Sequence, residues 1–271
     1  MSTALRDQIK VSLEGIFSRS RISVGLWESM VGILIGILLW EWYATDKPVF
    51  FFPGWFDILD ALSVQFAEGE LIPSLQGSLQ TLFLGFFLAV IVGVPLGLSM
   101  GMNERLASLL NPYINALYVA PISALVPIII LVGGASFESR VAVVFLFAIF
   151  EITITTYEGA RTTPNRIIDV AKSFGASRYF IFRRVVLPYD LPYIFAGMRL
   201  GVGRAVKGMI LAELLISWAN LGAMIRTAQN NINVAGVLSI VLLLMILGLI
   251  LTFVLKKASQ YLTPWQPEVN V

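Results

Sequence analysis

From Leu79 to Met102 the chain carries no charged side chain. A helix over that run would be ~36 Å long at 1.5 Å per residue, more than the ~30 Å hydrocarbon core of a bilayer. Lipid offers no partners for backbone N–H and C=O groups, so a run of this kind must be helical and must shape the rest of the chain. Further apolar spans are expected at about Leu26–Tyr43, Pro112–Gly134, Arg140–Thr156, Tyr193–Ser217 and Val234–Leu255. The fold class that follows is an all-α membrane protein of six transmembrane helices. With 57% hydrophobic and 13% charged residues, an ordinary soluble domain is excluded.

Several spans have a character of their own. In the second, Gly85, Gly93, Gly97 and Gly101 recur at spacings of four and eight, which lets another helix approach closely. Pro121 and Pro127 must break or kink the third, and backbone broken at membrane depth is tolerated where protein or a water cavity covers it. That makes these two prolines candidates for lining a translocation pathway, or the marks of a merely kinked helix. The fifth span is interrupted by Arg199, Arg204, Lys207 and Glu213. Charges at depth cost about 2.5–3.5 kcal/mol each on insertion scales, so they should face a bundle interior or water. Arg199 and Lys207, eight apart, are expected on one face, with Arg204 turned away. They could hold an anion in a pathway, or pair with acidic groups and snorkel to headgroups. Glu213 is a candidate buried partner for one of these cations, or a gate group.

Residues 1–25 are basic, with Ile9, Leu13, Ile16 and Phe17 on one helical face, which suits an interfacial helix or a solvated tail. The segment lacks a signal-peptide pattern, and the N-terminus is expected to be retained. The stretch 46–78 holds the aromatic cluster Phe50–Trp55, read as a membrane anchor or a docking surface, and a short amphipathic helix from Asp57 to Phe66 ended at Glu68-Gly69-Glu70. Lys256 and Lys257 are expected to cap the last span, leaving 258–271 as a tail.

The stretch from Thr163 to Pro192 is basic and lies between the fourth and fifth spans. Thr163 suits an N-cap, Pro164 the first helical position, and Gly175 a left-handed helix end. Ile167, Ile168, Ala171 and Phe174 give that helix one sticky face. A second short helix is expected from Ser177, ending before Pro188 and Pro192. With both termini cytosolic, the inner segments hold Arg6, Lys10, Arg19, Arg21, Arg105, Arg161, Arg166, Lys172, Arg178, Arg183, Arg184, Lys256 and Lys257. The outer loops hold Lys47, Arg140 and Arg226, a split of thirteen to three that the positive-inside rule predicts.

Asp169-Val170-Ala171, three residues, Gly175, nine residues and Val185-Val186-Leu187-Pro188 resembles the EAA loop of ATP-binding-cassette importer permeases. Asp169 stands where that family has Glu, Val170 for the first Ala and Val185 for Ile, while the spacing is kept at every step. The likeness extends from about Leu39 to Trp265. It is similar to the nitrate, sulfonate and taurine branch through Gly93–Gly97, Pro121–Pro127 and Ala212–Leu215. The resemblance implies a type I importer permease (MetI-like) bundle in the bacterial inner membrane, with a core over 79–257 and a coupling loop over 158–192. It implies that Asp169, Ala171, Ser173 and Gly175 lie at or beside an ATPase subunit's cleft, that Arg178 belongs to the same coupling loop, and that Leu187 and Pro188 set the angle of re-entry. The partners it implies are a second copy of the chain, two ATP-binding subunits in the cytosol and an extracytoplasmic solute-binding protein. ATP and Mg would be bound by the ATPase subunits, and no cofactor by this chain.

The absence of His and Cys removes the commonest bases, nucleophiles and metal ligands and weighs against an enzyme. Gly203 and Gly208 bracket four residues, but Met209 stands where a phosphate-binding loop needs Lys, and Gly201-Val202-Gly203 reads as helix packing. No feature points to nucleic acid. The alternative is an ion-coupled secondary transporter or channel with Glu151 and Glu213 as relay groups.

Overall fold

The computed structural model describes residues 27–265 apart from 29, 50 and 218. The interfacial helix expected within 1–25 lies outside these residues, as do Leu26 of the first span and 266–271 of the tail. Every described element is helical. The order is α1 (Met30–Ala44), α2 (Trp55–Ala67), α3 (Leu71–Met102), α4 (Glu104–Val119) and, after one 3₁₀ turn at Ile122–Leu125, α5 (Val126–Gly133). Then come α6 (Phe137–Arg161), α7 (Asn165–Ser173), α8 (Arg178–Ile181), α9 (Leu187–Ala212), α10 (Asn220–Asn230) and α11 (Val234–Leu262).

The centre of the bundle is α3, α6 and α9. Leu82, Phe86 and Ala89 meet Val144, Ala148 and Ile152, and behind them Val202, Ala205 and Met209. The glycine row on α3 is what lets α6 in. A Cβ on Gly85 would sit 2.6 Å from Val144 Cβ, one on Gly97 would sit 2.6 Å from the Thr153 carbonyl, and Gly101 rests on Ala160. On α9, Gly201 faces Ile152, whereas Gly203 faces open space and has no packing role. Apolar side chains gain little from leaving lipid for another helix, so this close fit, rather than burial as such, holds the helices together. α11 leaves Met245, Leu249, Ile250, Phe253 and Val254 exposed, as a lipid-facing helix should.

Among the described residues two helices, α3 and α11, are long and apolar enough to cross a membrane, and up to four spans result if each of two bent pairs counts as one. The expected third span is one of those pairs: α4 and the segment Ile122–Gly133 meet at 89°. Ala120 is extended at ψ 141°, the conformation that the following proline imposes, and Pro121 supplies no N–H to continue α4. Pro127 breaks nothing, because it occupies the first turn of α5, where its missing donor is harmless. Pro112 also lies within α4 without ending it.

Other boundaries shift for similar reasons. α11 runs past Lys256 and Lys257 to Leu262, so the two lysines lie within the helix instead of capping it. Of the Phe50–Trp55 cluster, Phe52, Pro53 and Trp55 fold back on the chain. Phe52 packs 4.7 Å from the Trp40 ring, Trp40 Nε1 donates to the Pro53 carbonyl at 3.0 Å, and the Trp55 N–H donates to Glu41 at 2.7 Å. The polar stretch before the last span is itself the helix α10.

Candidate functional site

At one end of the bundle α6 and α9 are joined by the α7–α8 hairpin. Its first helix begins one residue later than expected: Pro164 is the N-cap residue, without a side-chain cap bond, and the buried Thr163 hydroxyl has no hydrogen-bond partner. Gly175 ends α7 at φ +76°, a conformation cheap only for glycine. Ser177 caps α8 by accepting from the Phe180 N–H at 3.2 Å. The expected sticky face is divided. Ile168 and Ala171 turn inward onto a cluster of Leu98, Ala160, Ile181, Val186 and Ile194, while Ile167 is 48% and Phe174 is 87% exposed. Asp169, Ser173 and Arg178 are exposed too, and Asp169 pairs with Lys172 at 3.1 Å.

The chain does not stop before Pro188 and Pro192. A π-helical turn over Phe182–Val186 runs straight into α9, with the Leu187 N–H donating to the Phe182 carbonyl. Pro188 is the second residue of α9, and Leu187 is half-buried against the inner cluster. Two residues further, Asp190 is fully buried against Gly159, and neither carboxylate oxygen has a hydrogen-bond partner. Sequence reasoning missed this residue.

Further along the bundle the elbow between α4 and α5 borders an open cavity of about 490 Å³. Pro121, Arg204 and Lys207 all line it, and Arg199 does not. The expected split of faces is thereby corrected: positions three apart on a helix are neighbours, so Arg204 sides with Lys207. Arg204 Nε lies 2.6 Å from Glu151 Oε1, and Arg204 Nη2 donates to the Tyr118 hydroxyl at 3.2 Å. That hydroxyl donates in turn to Glu151 at 3.3 Å, so one small network ties α4, α6 and α9 together beside the break. Arg199 has a buried Nε without a hydrogen-bond partner.

Glu213 lies at the other end of α9, in a second π-helical turn over Glu213–Ser217. It is fully buried and accepts from Ser78 Oγ at 2.9 Å, from Asn220 Nδ2 at 3.0 Å and from the Gly222 N–H at 3.1 Å. Nearby, α2, α10 and the start of α11 enclose a cavity of about 870 Å³ rimmed by Asp57, Asp60, Glu68 and Glu70. α3 spans the distance between this end and the hairpin, ~48 Å for its 32 residues.

An all-helical bundle with a capped polar hairpin between two core helices is matched over residues 93–263 by the family described as the binding-protein-dependent transport system inner membrane component. The chain belongs to that family. As a permease of ATP-binding-cassette type it is 28% identical over 242 residues to a probable ABC transporter permease protein of Brucella abortus (strain 2308), covering 89% of this chain and 96% of that one. It is 29% identical over 205 residues to the taurine transport system permease protein TauC of Escherichia coli (strain K12), covering 76% and 74%. The fold of this permease matches an inward-facing structure of the MetNI methionine ABC transporter with a TM-score of 0.64 at 18% identity, covering 73% of this chain and 98% of that chain. The MetI-like bundle is thus the fold.

Proposed function

We infer that this permease forms the translocation pathway of an ATP-driven importer for a small anionic solute handed over by a binding protein. The observation that carries this reading is the α7–α8 hairpin. It is capped at both helices, exposed, basic at Arg166, Arg178, Arg183 and Arg184, and rooted directly in α6 and α9. A short, capped helix transmits a push that a floppy loop would absorb. The exposed side chains of Ile167, Val170 and Phe174 give an ATPase subunit an apolar surface to grip, while Ile168 and Ala171 hold the hairpin to the bundle. Asp169, Ser173 and Gly175 lie on the same surface.

Two ATPase subunits, which bind the ATP and Mg, would press on the hairpins of two copies of the chain from the cytosol. The binding protein would dock at the opposite end, where the acid-rimmed cavity opens. Transport is then alternating access between two conformations, and the chain supplies the moving parts and no bond chemistry. An anion is favoured because Lys207 borders the cavity at the elbow, and because taurine, the solute named for one relative, carries a sulfonate.

The test is the substitution Gly175→Val. At φ +76° a β-branched residue is strained, so α7 loses its stop while the rest of the bundle is untouched. The expected outcome is a complex that assembles and hydrolyses ATP but no longer couples hydrolysis to uptake in proteoliposomes. Uptake per ATP equal to wild type in that variant would overturn the coupling role.

A further inference from the structure

We propose that the cavity at the α4–α5 elbow binds one small organic monoanion, with Lys207 as the group that takes its negative charge. Two cations border this cavity, and they are not equivalent. Arg204 is already neutralised: Glu151 holds its Nε at 2.6 Å, Tyr118 accepts from its Nη2 at 3.2 Å, and its guanidinium lies 5.1 Å over the Tyr118 ring. An incoming anion would have to displace a charge-assisted bond to use it. Lys207 lies beside it, exposed to the cavity and without a partner among the described residues. The site therefore offers a single free positive charge, which matches a monoanion and leaves half of a dianion uncompensated.

The walls decide the rest of the ligand. Phe147, Ile210, Leu211 and Leu214 are apolar, and Ser123 adds one exposed hydroxyl from the 3₁₀ turn. Walls of low polarity strengthen the field of an ammonium and favour a carbon skeleton over a bare inorganic ion. A volume of about 490 Å³ suits a ring or short chain bearing one carboxylate or sulfonate. The ligand would also touch the hinge itself, since Tyr118 and Pro121 flank the break in α4. Binding depends on this cavity alone; its service as a station for transported solute rests on the importer reading above.

The test uses the full chain with its ATPase subunits in lipid nanodiscs, and equilibrium dialysis of radiolabelled benzenesulfonate and its neutral counterpart benzenesulfonamide. The sulfonate is expected to bind about tenfold or more tighter, the scale of one charge-assisted contact. Lys207→Gln should abolish that preference and Lys207→Arg should keep it. Glu151→Gln, which frees Arg204, should raise affinity for benzene-1,3-disulfonate about tenfold. Equal binding of the two first probes to the wild type, or an undiminished preference in Lys207→Gln, overturns the proposal. A wild-type chain that prefers the sulfonate but never retains an ATPase subunit would sink the importer reading and leave the site standing. One that retains the subunit and ignores charge would do the reverse.

Discussion

At Gly159 even a methyl group would meet the Asp190 carboxylate and the Tyr193 side chain. Overpacking of this kind costs about 1–3 kcal/mol and sometimes more. Gly159→Ala should therefore lower the midpoint of thermal unfolding of the detergent-solubilised chain, more than Gly203→Ala, which meets nothing within 4 Å. Glu213 poses the opposite case. Glu213→Ala leaves Ser78 and the Gly222 N–H without their acceptor in a buried place, at about 1–3 kcal/mol for each stranded group. The loss should be read as faster hydrogen exchange across α10. Single residues were unevenly legible in the sequence. The row Gly85–Gly101 showed because its spacing repeats along one helix face. Asp190 did not, because its meaning comes from Gly159 on another helix, which no local pattern records.

Helices were legible wherever their ends follow from local chemistry. Gly175 and Ser177 are such ends, and the hairpin forms about them as their residue types require. Ser177→Ala should fray α8 and cost about 0.5–2 kcal/mol, seen as faster exchange of the Phe180 amide. The prolines misled where a helix could adapt. Pro188 stops a helix of regular pitch, but the π-helical turn before it widens the ladder and lets the chain pass, and Pro192 is carried inside α9. Pro121 behaved as its chemistry demands, and more sharply than a kink: a right-angle elbow separates α4 from α5. The face shared by Arg204 and Lys207 was available from their spacing of three, whereas the neutralising Glu151 lies on α6 and only packing brings it close.

For the whole molecule, orientation in the membrane is the property that most needs measurement. The sequence contains no cysteine, so single replacements report cleanly. Ser173→Cys on the hairpin should react with a membrane-impermeant maleimide only in inside-out vesicles, and Ser63→Cys on α2 only in right-side-out cells; both positions are exposed. The reverse pattern would put the hairpin where no ATP is available. The general architecture could be read from hydropathy and from the kept spacing of Asp169, Gly175 and Pro188, because both are written along the chain. The cavity at the elbow could not, because three separate helices build it. The far end of α9 is pinned by Glu213 to α3 and α10, and its near end is fused to the hairpin. With that pin as fulcrum, the near end is ~39 Å away and Arg204 only ~14 Å away, at 1.5 Å per residue. On the coupling role proposed above, a displacement of the hairpin would reach Arg204, beside its 2.6 Å contact with Glu151, at about a third of its amplitude.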